Sequence, residues 1–314
     1  MALDLADPSA SLFGILAPLV TPFNVDGTID VDALTIQIEW LVNAGVAGLV
    51  VGHPMSQTAT LDDDSWIAVA RSTHDSLAGR RTFVVALATD NMPDAIRRAR
   101  ALRELNVDAM LAPPFETAGA ADREAAARPF RDLFGHAGHP IIIDNCSMNC
   151  DVPDTAVSAK QLHAVMGSVA EVVGVCHRST DFKAFADMML DLPDDKVILG
   201  GFDPFLYSGL SLGAHGAVTA LGAALPQVGV ALHRAVRRGD HETARGVHEC
   251  LLRLWNSLPV GRLAACIDYM QSCQGLLASG SDNASGVLSD RLKSGIDREL
   301  DPMLAMLGHV RTAA

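Results

Sequence analysis

The segment Glu171–Asp181 reads EVVGVCHRSTD and is the part of the sequence from which the fold can be predicted. Its apolar run, Val172–Val175, lacks the alternation of a half-exposed strand, which favours a strand buried on both faces in a parallel sheet. Cys176 and His177 follow the run directly, and parallel α/β folds keep their chemistry at the carboxyl ends of the strands. The sequence therefore predicts a site in which a cysteine occupies a strand end.

Seven other short apolar segments have the same form, and polar turns and helical patterns separate them. Parallel strands need helical crossovers of this kind, and eight repeats favour a closed barrel over an open sheet. We therefore predict a (β/α)8 TIM barrel over residues 1–225. Residues 226–314 are predicted to form a C-terminal helical extension of the same domain. The other predicted strands are Gly14–Val20, Gly48–Val51, Thr82–Ala88, Ala109–Ala112, Pro140–Ile143, Val197–Leu199 and Gly216–Thr219, and the predicted helices of the extension are Ala231–Arg238, His241–Trp255 and Ile267–Leu277.

The composition limits the possible partners and the compartment. The chain has 314 residues, of which 49% are hydrophobic, and its formal net charge is −13. Because phosphates repel a strongly acidic chain, neither nucleic acid nor an anionic membrane is expected as a partner. No signal peptide is expected, since no basic residue precedes the first apolar run, and no apolar stretch reaches the ~20 residues of a membrane span. Six cysteines in a chain of this length suit reduced thiols and a cytoplasmic location.

Short motifs in a fixed order run through nearly the whole chain. They are Thr21-Pro22-Phe23, Asp26-Gly27, Ala44–Val51, Val107–Ala109, Pro113-Pro114, Pro140–Ile142, Val172–Gly174 and Leu212–Ala217. Together they resemble the dihydrodipicolinate synthase and N-acetylneuraminate lyase family. The resemblance implies a TIM barrel, a homo-oligomer (dimer or tetramer), and a lyase that forms a Schiff base between a lysine and a 2-oxo acid.

The positions that carry the family's chemistry differ in this sequence. Where the resemblance implies the Schiff-base lysine after the sixth strand, the chain has Cys176, and a thiol cannot form an imine. None of the four lysines in the chain directly follows a predicted strand. The remaining replacements are Asp144 for a proton-relaying tyrosine, Asn149 for an arginine that would bind a second carboxylate, Phe115-Glu116 for a tyrosine pair, and His53–Gln57 for the carboxylate-binding loop.

We therefore expect an altered site at the rim of the barrel. The candidate catalytic residues are Cys176, Asp144 and His177, with Cys176 as a nucleophile if a nearby base lowers its pKa. A buried thiol that fills the space of the absent lysine is the alternative for Cys176. The candidate ligand-binding residues are His53, Ser56, Gln57, Phe115, Asn145, Asn149 and Asp203.

No cofactor and no metal are predicted, although thiolate ligands from Cys146 and Cys150 next to Asp144 would suit zinc or iron. Two functions remain open. The first is a lyase or related enzyme that acts on a small polar or oxo-acid-like molecule without a lysine Schiff base. The second is a catalytically inactive binding or regulatory subunit of the same fold.

Overall fold

The computed structural model describes residues 12–24, 26–54, 61–115, 123–145, 157–276 and 288–308. Eight parallel strands pair in chain order, and the first pairs with the last, which closes the sheet into a barrel. Helices alternate with the strands, so the predicted (β/α)8 TIM barrel is confirmed. The strands are β1 Gly14–Pro18, β2 Gly48–Val51, β3 Thr82–Ala86, β4 Ala109–Ala112, β5 Ile141–Asn145, β6 Val172–His177, β7 Val197–Gly200 and β8 Gly216–Val218.

The helices follow the strands around the barrel and continue beyond it. Several begin at a side chain that accepts a hydrogen bond from a free backbone N–H of the first turn, as Asp30, Asp62 and Asp181 do. The helices are α1 Val31–Ala44, α2 Asp63–Leu77, α3 Met92–Ala101, α4 Arg123–Ala137, α5 Ala159–Met166, α6 Phe182–Leu190, α7 Leu206–Ser211, α8 Pro226–Arg237, α9 His241–Ser257, α10 Leu263–Ser272 and α11 Asp290–Met306.

Side chains of the strands divide into two buried layers, because successive residues of a strand point to opposite faces. One cluster takes residues from all eight strands and fills the inside of the barrel. A larger cluster lies between the strands and the surrounding helices. The inner cluster is Leu12, Leu16, Val50, Val84, Ala86, Ala109, Leu111, Ile142, Val173, Cys176, Val197, Leu199 and Val218.

Helix α8 packs on β1, where Gly229 lies against the side chain of Ile15. Helices α9 and α11 pack against each other, and α9 also contacts α8. In the described parts of the chain, no helix has both the length and the apolar character needed to cross a membrane.

The close approach of β6 and β7 depends on a glycine. A Cβ added at Gly174 would lie 2.4 Å from the backbone oxygen of Val197 and 2.4 Å from its Cγ2. Backbone atoms cannot move away as a flexible side chain can. The residue that precedes Cys176 by two positions must therefore be small for the two strands to pair.

Gly174→Ala is expected to lower the free energy of unfolding by about 1–3 kcal/mol, as overpacking does in a well-packed interior. The control is Gly246→Ala in α9, where a Cβ would meet nothing within 4 Å. That change is expected to stabilise the chain by about 0.5–1 kcal/mol through helix propensity. Urea unfolding of both variants measures the difference, and a neutral Gly174→Ala would contradict the packing argument.

Candidate functional site

The centre of the candidate site is formed by β5 and β6. The register between these strands shifts by one residue, since Ile141 pairs with Val172 and Ile142 pairs with Gly174. The extra residue in β6 forms a β-bulge, which changes the direction in which the following side chains point. After the bulge, Asp144 pairs with Cys176. Two residues from different parts of the sequence thus lie side by side at the carboxyl end of the barrel.

Cys176 points into the barrel and is fully buried. Ile142 belongs to the same inner cluster, so Asp144, two residues further along β5, faces the same side. The structure therefore brings together two of the three predicted catalytic residues, Cys176 and Asp144.

Arg178 completes this layer and was not among the residues selected from the sequence. Its Nε donates to Oδ1 of Asp144 at 2.9 Å, and its Nη2 donates to Oδ2 at 2.6 Å. The side chains of Arg178 and Asp144 are 4% and 8% exposed, so this is a buried, bidentate ion pair. Arg178 could have been identified from strand alternation, because it lies two residues after Cys176 and so shares the same face of the strand.

The stem of Arg178 lies over a glycine in the loop after β7. A Cβ added at Gly201 would lie 1.8 Å from Cγ of Arg178. The Gly201 N–H donates to the backbone oxygen of His177 at 2.8 Å, which fixes the glycine against the end of β6. The arginine side chain can therefore follow this path across the barrel end only because residue 201 is a glycine.

His53 follows β2 and is fully buried. Burial, and then the positive charge of Arg178, hold the pKa of the His53 imidazole well below its usual range. At neutral pH this histidine is therefore uncharged and lies within the electrostatic reach of Arg178. Among the predicted ligand-binding residues that the structure describes, His53 is the one associated electrostatically with Arg178.

His177 and Asn145 pair across β5 and β6 on the opposite face of the strands from Asp144 and Cys176. The Asn145 Nδ2 lies 3.0 Å from Nδ1 of His177 and also donates to the backbone oxygen of Val157, whose N–H donates to the Asn145 Oδ1. The His177 ring packs against Phe185 of α6. Because of these contacts, the His177 side chain lies away from Cys176, its neighbour in sequence. The Asn145 side chain holds the backbone of Val157 in place.

Asp203 is buried in the turn after β7. Its two carboxylate oxygens accept hydrogen bonds from the backbone N–H groups of Ala220 and Leu221, at 3.0 and 3.1 Å. Burial raises the pKa of Asp203 to about 6, against the lowering effect of these hydrogen bonds. The carboxylate joins the loops that follow β7 and β8, so its visible contacts are structural.

Phe115 adopts a positive φ of 47°, which is unusual for an aromatic residue and holds the backbone in a strained conformation. Its ring packs against Phe130 of α4. Ser56, Gln57 and Asn149, three further predicted ligand-binding residues, lie outside the described residues, as do Cys146 and Cys150. Among the residues that the structure describes, no group of three or more His, Cys, Asp or Glu side chains could hold a metal ion.

The four lysines lie away from this layer. Lys196 precedes β7, and its Nζ donates to the backbone oxygen of Ala170, just before β6. This places it at the amino end of the barrel strands, opposite Cys176. Lys160, Lys183 and Lys293 lie on the outer helices α5, α6 and α11.

His177 and Asp203 should affect the pH dependence of the free energy of unfolding in opposite directions. Burial lowers the pKa of His177 to about 4, from an ordinary value of 6.5. Its contribution to folding is complete above about pH 6.5 and is lost as the pH falls through 4, because the unfolded chain then binds the proton more tightly. Asp203 has a raised pKa, so its contribution is complete below about pH 4 and is lost as the pH rises through 6.

We therefore expect His177→Gln to flatten the rise in stability between about pH 4 and 6.5, by up to ~3 kcal/mol in the free energy of unfolding. Asp203→Asn should make the same rise steeper. Urea unfolding across this pH range measures both slopes. His53 also has a lowered pKa, so some rise should remain in the His177 variant. Two variants with slopes equal to that of the unsubstituted chain would contradict the assignment.

Comparison with known proteins identifies the family. A family model described as the dihydrodipicolinate synthetase family matches residues 11–281. The 4-hydroxy-tetrahydrodipicolinate synthase of Koribacter versatilis is 26% identical over 250 residues, which is 78% of this chain and 81% of that protein. The synthase of Xanthomonas campestris is 28% identical over 238 residues, covering 74% of this chain and 76% of that protein.

Solved structures show the same fold. The E. coli K12 prophage protein YagE, a dihydrodipicolinic acid synthase family protein solved in complex with pyruvate, has a TM-score of 0.80 at 21% identity and covers 95% of this chain and 99% of its own. The sialic acid aldolase of Ruminococcus gnavus has a TM-score of 0.81 at 18% identity and covers 95% and 98%. With the match over residues 11–281, these findings show that the chain belongs to the dihydrodipicolinate synthetase family.

Proposed function

We propose that this chain is a lyase or related enzyme that acts on a small polar or oxo-acid-like molecule without a lysine Schiff base. One observation carries the proposal. At the position where the family resemblance implies the imine-forming lysine, β6 presents Cys176 to the inside of the barrel, next to the buried Arg178–Asp144 pair. Lys196, the most deeply buried lysine, is held at the opposite end of the strands by the backbone oxygen of Ala170.

The groups in this layer suit chemistry at a carbonyl without a covalent intermediate. In a cleavage of this kind, a neutral imidazole such as His53 accepts the proton of a substrate hydroxyl. A new carbonyl forms at that carbon as the adjacent C–C bond breaks, the electron pair of that bond moves onto the carbonyl oxygen of the other fragment, and a buried guanidinium stabilises the charge of this enolate. The imidazole then returns the proton to the enolate carbon, which gives the second product. In this scheme Asp144 orients Arg178, and Cys176 lines the bottom of the site.

A catalytically inactive binding or regulatory subunit is the second candidate, and it is favoured by a different observation. Cys176 is fully buried within the apolar inner cluster, as expected for a thiol that only fills space. Asp144 and Arg178 neutralise each other, and such a pair is also compatible with a site that fills its own space and has no catalytic function. Turnover distinguishes the two functions, because a binding subunit retains the ligand unchanged.

Assembly and location are further parts of the proposal. We propose a homo-oligomer, either a dimer or a tetramer, in the cytoplasm, with a small molecule as the ligand and with neither nucleic acid nor membrane as a partner. The support is the family membership together with the acidic composition, with a net charge of −13.

Treatment with pyruvate and sodium borohydride is expected to leave the intact mass of the chain unchanged. Reduction traps an imine as a stable amine, and Cys176 cannot form one. Mass spectrometry of the intact protein and of its peptides measures the outcome. The 4-hydroxy-tetrahydrodipicolinate synthase of Koribacter versatilis, treated in parallel, is the comparison for the family reaction. A stable adduct on any lysine would contradict the proposal.

Incubation with a panel of 2-oxo acids and their aldol adducts, followed by proton NMR, is expected to reveal one that is cleaved or formed. For that compound, His53→Asn should lower kcat by about a hundredfold or more, as loss of an acid–base group does. Asp144→Asn should lower kcat by a similar factor, because Arg178 loses the partner that orients it. Cys250→Ala, a cysteine change on α9 away from the barrel end, is the control. If Asp144→Asn and His53→Asn left the activity intact, these roles would be wrong. Ligand binding with no turnover in any case would favour the binding subunit.

A further inference from the structure

We propose that this chain binds a small phosphorylated sugar in a cleft at the amino end of the barrel, where Arg81 and Arg234 bind the phosphate and Asp108 accepts hydrogen bonds from hydroxyl groups. The cleft has a volume of about 830 Å³, which is in the range of sites that hold small molecules. It is lined by residues at the amino ends of β1, β2, β3 and β4 and by Arg234 of α8. The proposed reaction takes place at the carboxyl ends of the strands, so the cleft is a separate site.

Two arginines of this cleft, Arg81 and Arg234, have no carboxylate partner among the residues that the structure describes. A third, Arg80, donates through both terminal nitrogens to the carboxylate of Glu39, so its charge is balanced. The Arg81 Nη1 donates to the backbone oxygen of Arg80 at 3.0 Å, which leaves its charge unbalanced. The chain as a whole carries a net charge of −13 and repels anions, so two unbalanced positive charges at one cleft are an exception that points to an anionic ligand.

The two guanidinium groups favour a phosphate over a carboxylate. A phosphate monoester carries close to two negative charges at neutral pH and has three strong acceptor oxygens, whereas a carboxylate carries one charge. The planar guanidinium of arginine presents paired N–H donors that match the oxygens of a phosphate. Because Arg81 and Arg234 line the same cleft, a phosphate bound there interacts with two positive charges.

Backbone contacts hold both arginines at the wall of the cleft. Arg81 follows a turn in which Ala78 has a positive φ of 49°. This conformation is strained for alanine and persists only where the surrounding structure fixes it, so the turn enters β3 in a defined direction. Arg234 lies over Gly45, the residue that ends α1, where a Cβ would lie 2.9 Å from its Nη2. The arginine side chain can therefore approach the backbone there only because residue 45 is a glycine.

The other polar groups of the cleft suit the hydroxyl groups of a sugar. The Asp108 Oδ2 accepts a hydrogen bond from the Phe83 N–H at 2.7 Å, and its Oδ1 has no such donor among the described residues. Asn106 also lines the cleft and can both donate and accept. His74, the remaining titratable residue of the cleft, has its Nδ1 3.0 Å from Asp75. Since the charge of Asp108 repels a bare phosphate, this carboxylate favours a phosphate that carries a hydroxyl-bearing group.

Phe13 gives the cleft an apolar wall. Its side chain is 43% exposed, and its ring meets the ring of His215 edge-on, with the centroids 4.9 Å apart. The carbon-bound hydrogens of a sugar can pack against the electron-rich face of an aromatic ring. Sites for small molecules commonly combine such an apolar wall with a few polar groups, and this cleft has both.

The experiment is a titration of ribose 5-phosphate into the full chain by isothermal titration calorimetry, with circular dichroism to verify the fold of each variant. Inorganic phosphate and ribose are titrated in parallel, because they separate the contribution of the phosphate from that of the hydroxyl groups. We expect ribose 5-phosphate to bind saturably, inorganic phosphate to bind more weakly, and ribose to give no measurable binding.

Arg81→Gln and Arg234→Gln should each weaken the binding of ribose 5-phosphate by about tenfold, as loss of a charged hydrogen bond does. The control is Arg245→Gln, which removes an exposed arginine on α9 that does not line the cleft and should leave the affinity unchanged. Asp108→Asn retains an oxygen that can accept from the Phe83 N–H but removes the negative charge. It should tighten the binding of inorganic phosphate and bring its affinity closer to that of ribose 5-phosphate.

Three results would contradict the proposal. Without saturable binding of ribose 5-phosphate to the unsubstituted chain, the cleft is not such a site. An equal loss of affinity in Arg234→Gln and Arg245→Gln would indicate a general effect of charge and would overturn the assignment of the cleft. Equal affinities of the unsubstituted chain for inorganic phosphate and ribose 5-phosphate would overturn the role of Asp108 in binding a sugar. None of these results depends on whether the chain is a lyase, because the cleft lies at the other end of the barrel.

Discussion

The arrangement at the carboxyl end of the barrel depends on a buried ion pair. Taking a guanidinium and a carboxylate out of water costs several kcal/mol for each ion, and a bidentate contact offsets this cost only when its geometry is good. Arg178 and Asp144 meet that condition, with donor–acceptor distances of 2.9 and 2.6 Å. Three features of the backbone make this contact possible: the bulge in β6, the register that pairs Asp144 with Cys176, and the glycine at residue 201.

The two faces of β6 give neighbouring residues different roles. Cys176 and Arg178 point into the barrel, whereas His177 lies between the sheet and the helices, where it meets Asn145 and Phe185. His177 is next to Cys176 in sequence, but the alternation of the strand places their side chains on opposite faces. The histidine electrostatically linked to this layer, His53, comes from another strand end, more than a hundred residues earlier in the chain. A site at the mouth of a barrel is assembled from strand ends, so its members seldom adjoin in sequence.

Much of the fold could be predicted from the sequence, because a parallel strand buried on both faces leaves a continuous apolar run. The apolar run no longer marks the strand where the polar residues of the site begin. The fifth and sixth strands were predicted to end at Ile143 and Val175, yet the ladder continues through Asn145 and His177. Helix α11, Asp290–Met306, lies within the predicted helical extension, but its bounds are not evident from the sequence, since its charged residues and internal proline weaken the apolar signal. The face of Arg178 follows from strand alternation, but its ion pair with Asp144 depends on the register between β5 and β6, which the sequence does not show.

In the proposed function, the site offers a different kind of stabilisation from the lysine that the family resemblance implies at the position of Cys176. An amine can lose its proton, attack a carbonyl and hold the electrons of a carbanion in a covalent intermediate. A guanidinium keeps its proton and can act only through charge and hydrogen bonds. Under the proposed function, a reaction at this end of the barrel proceeds through an oxyanion stabilised by electrostatics. The buried ion pair is compatible both with an enzyme and with an inactive binding subunit, and turnover separates the two.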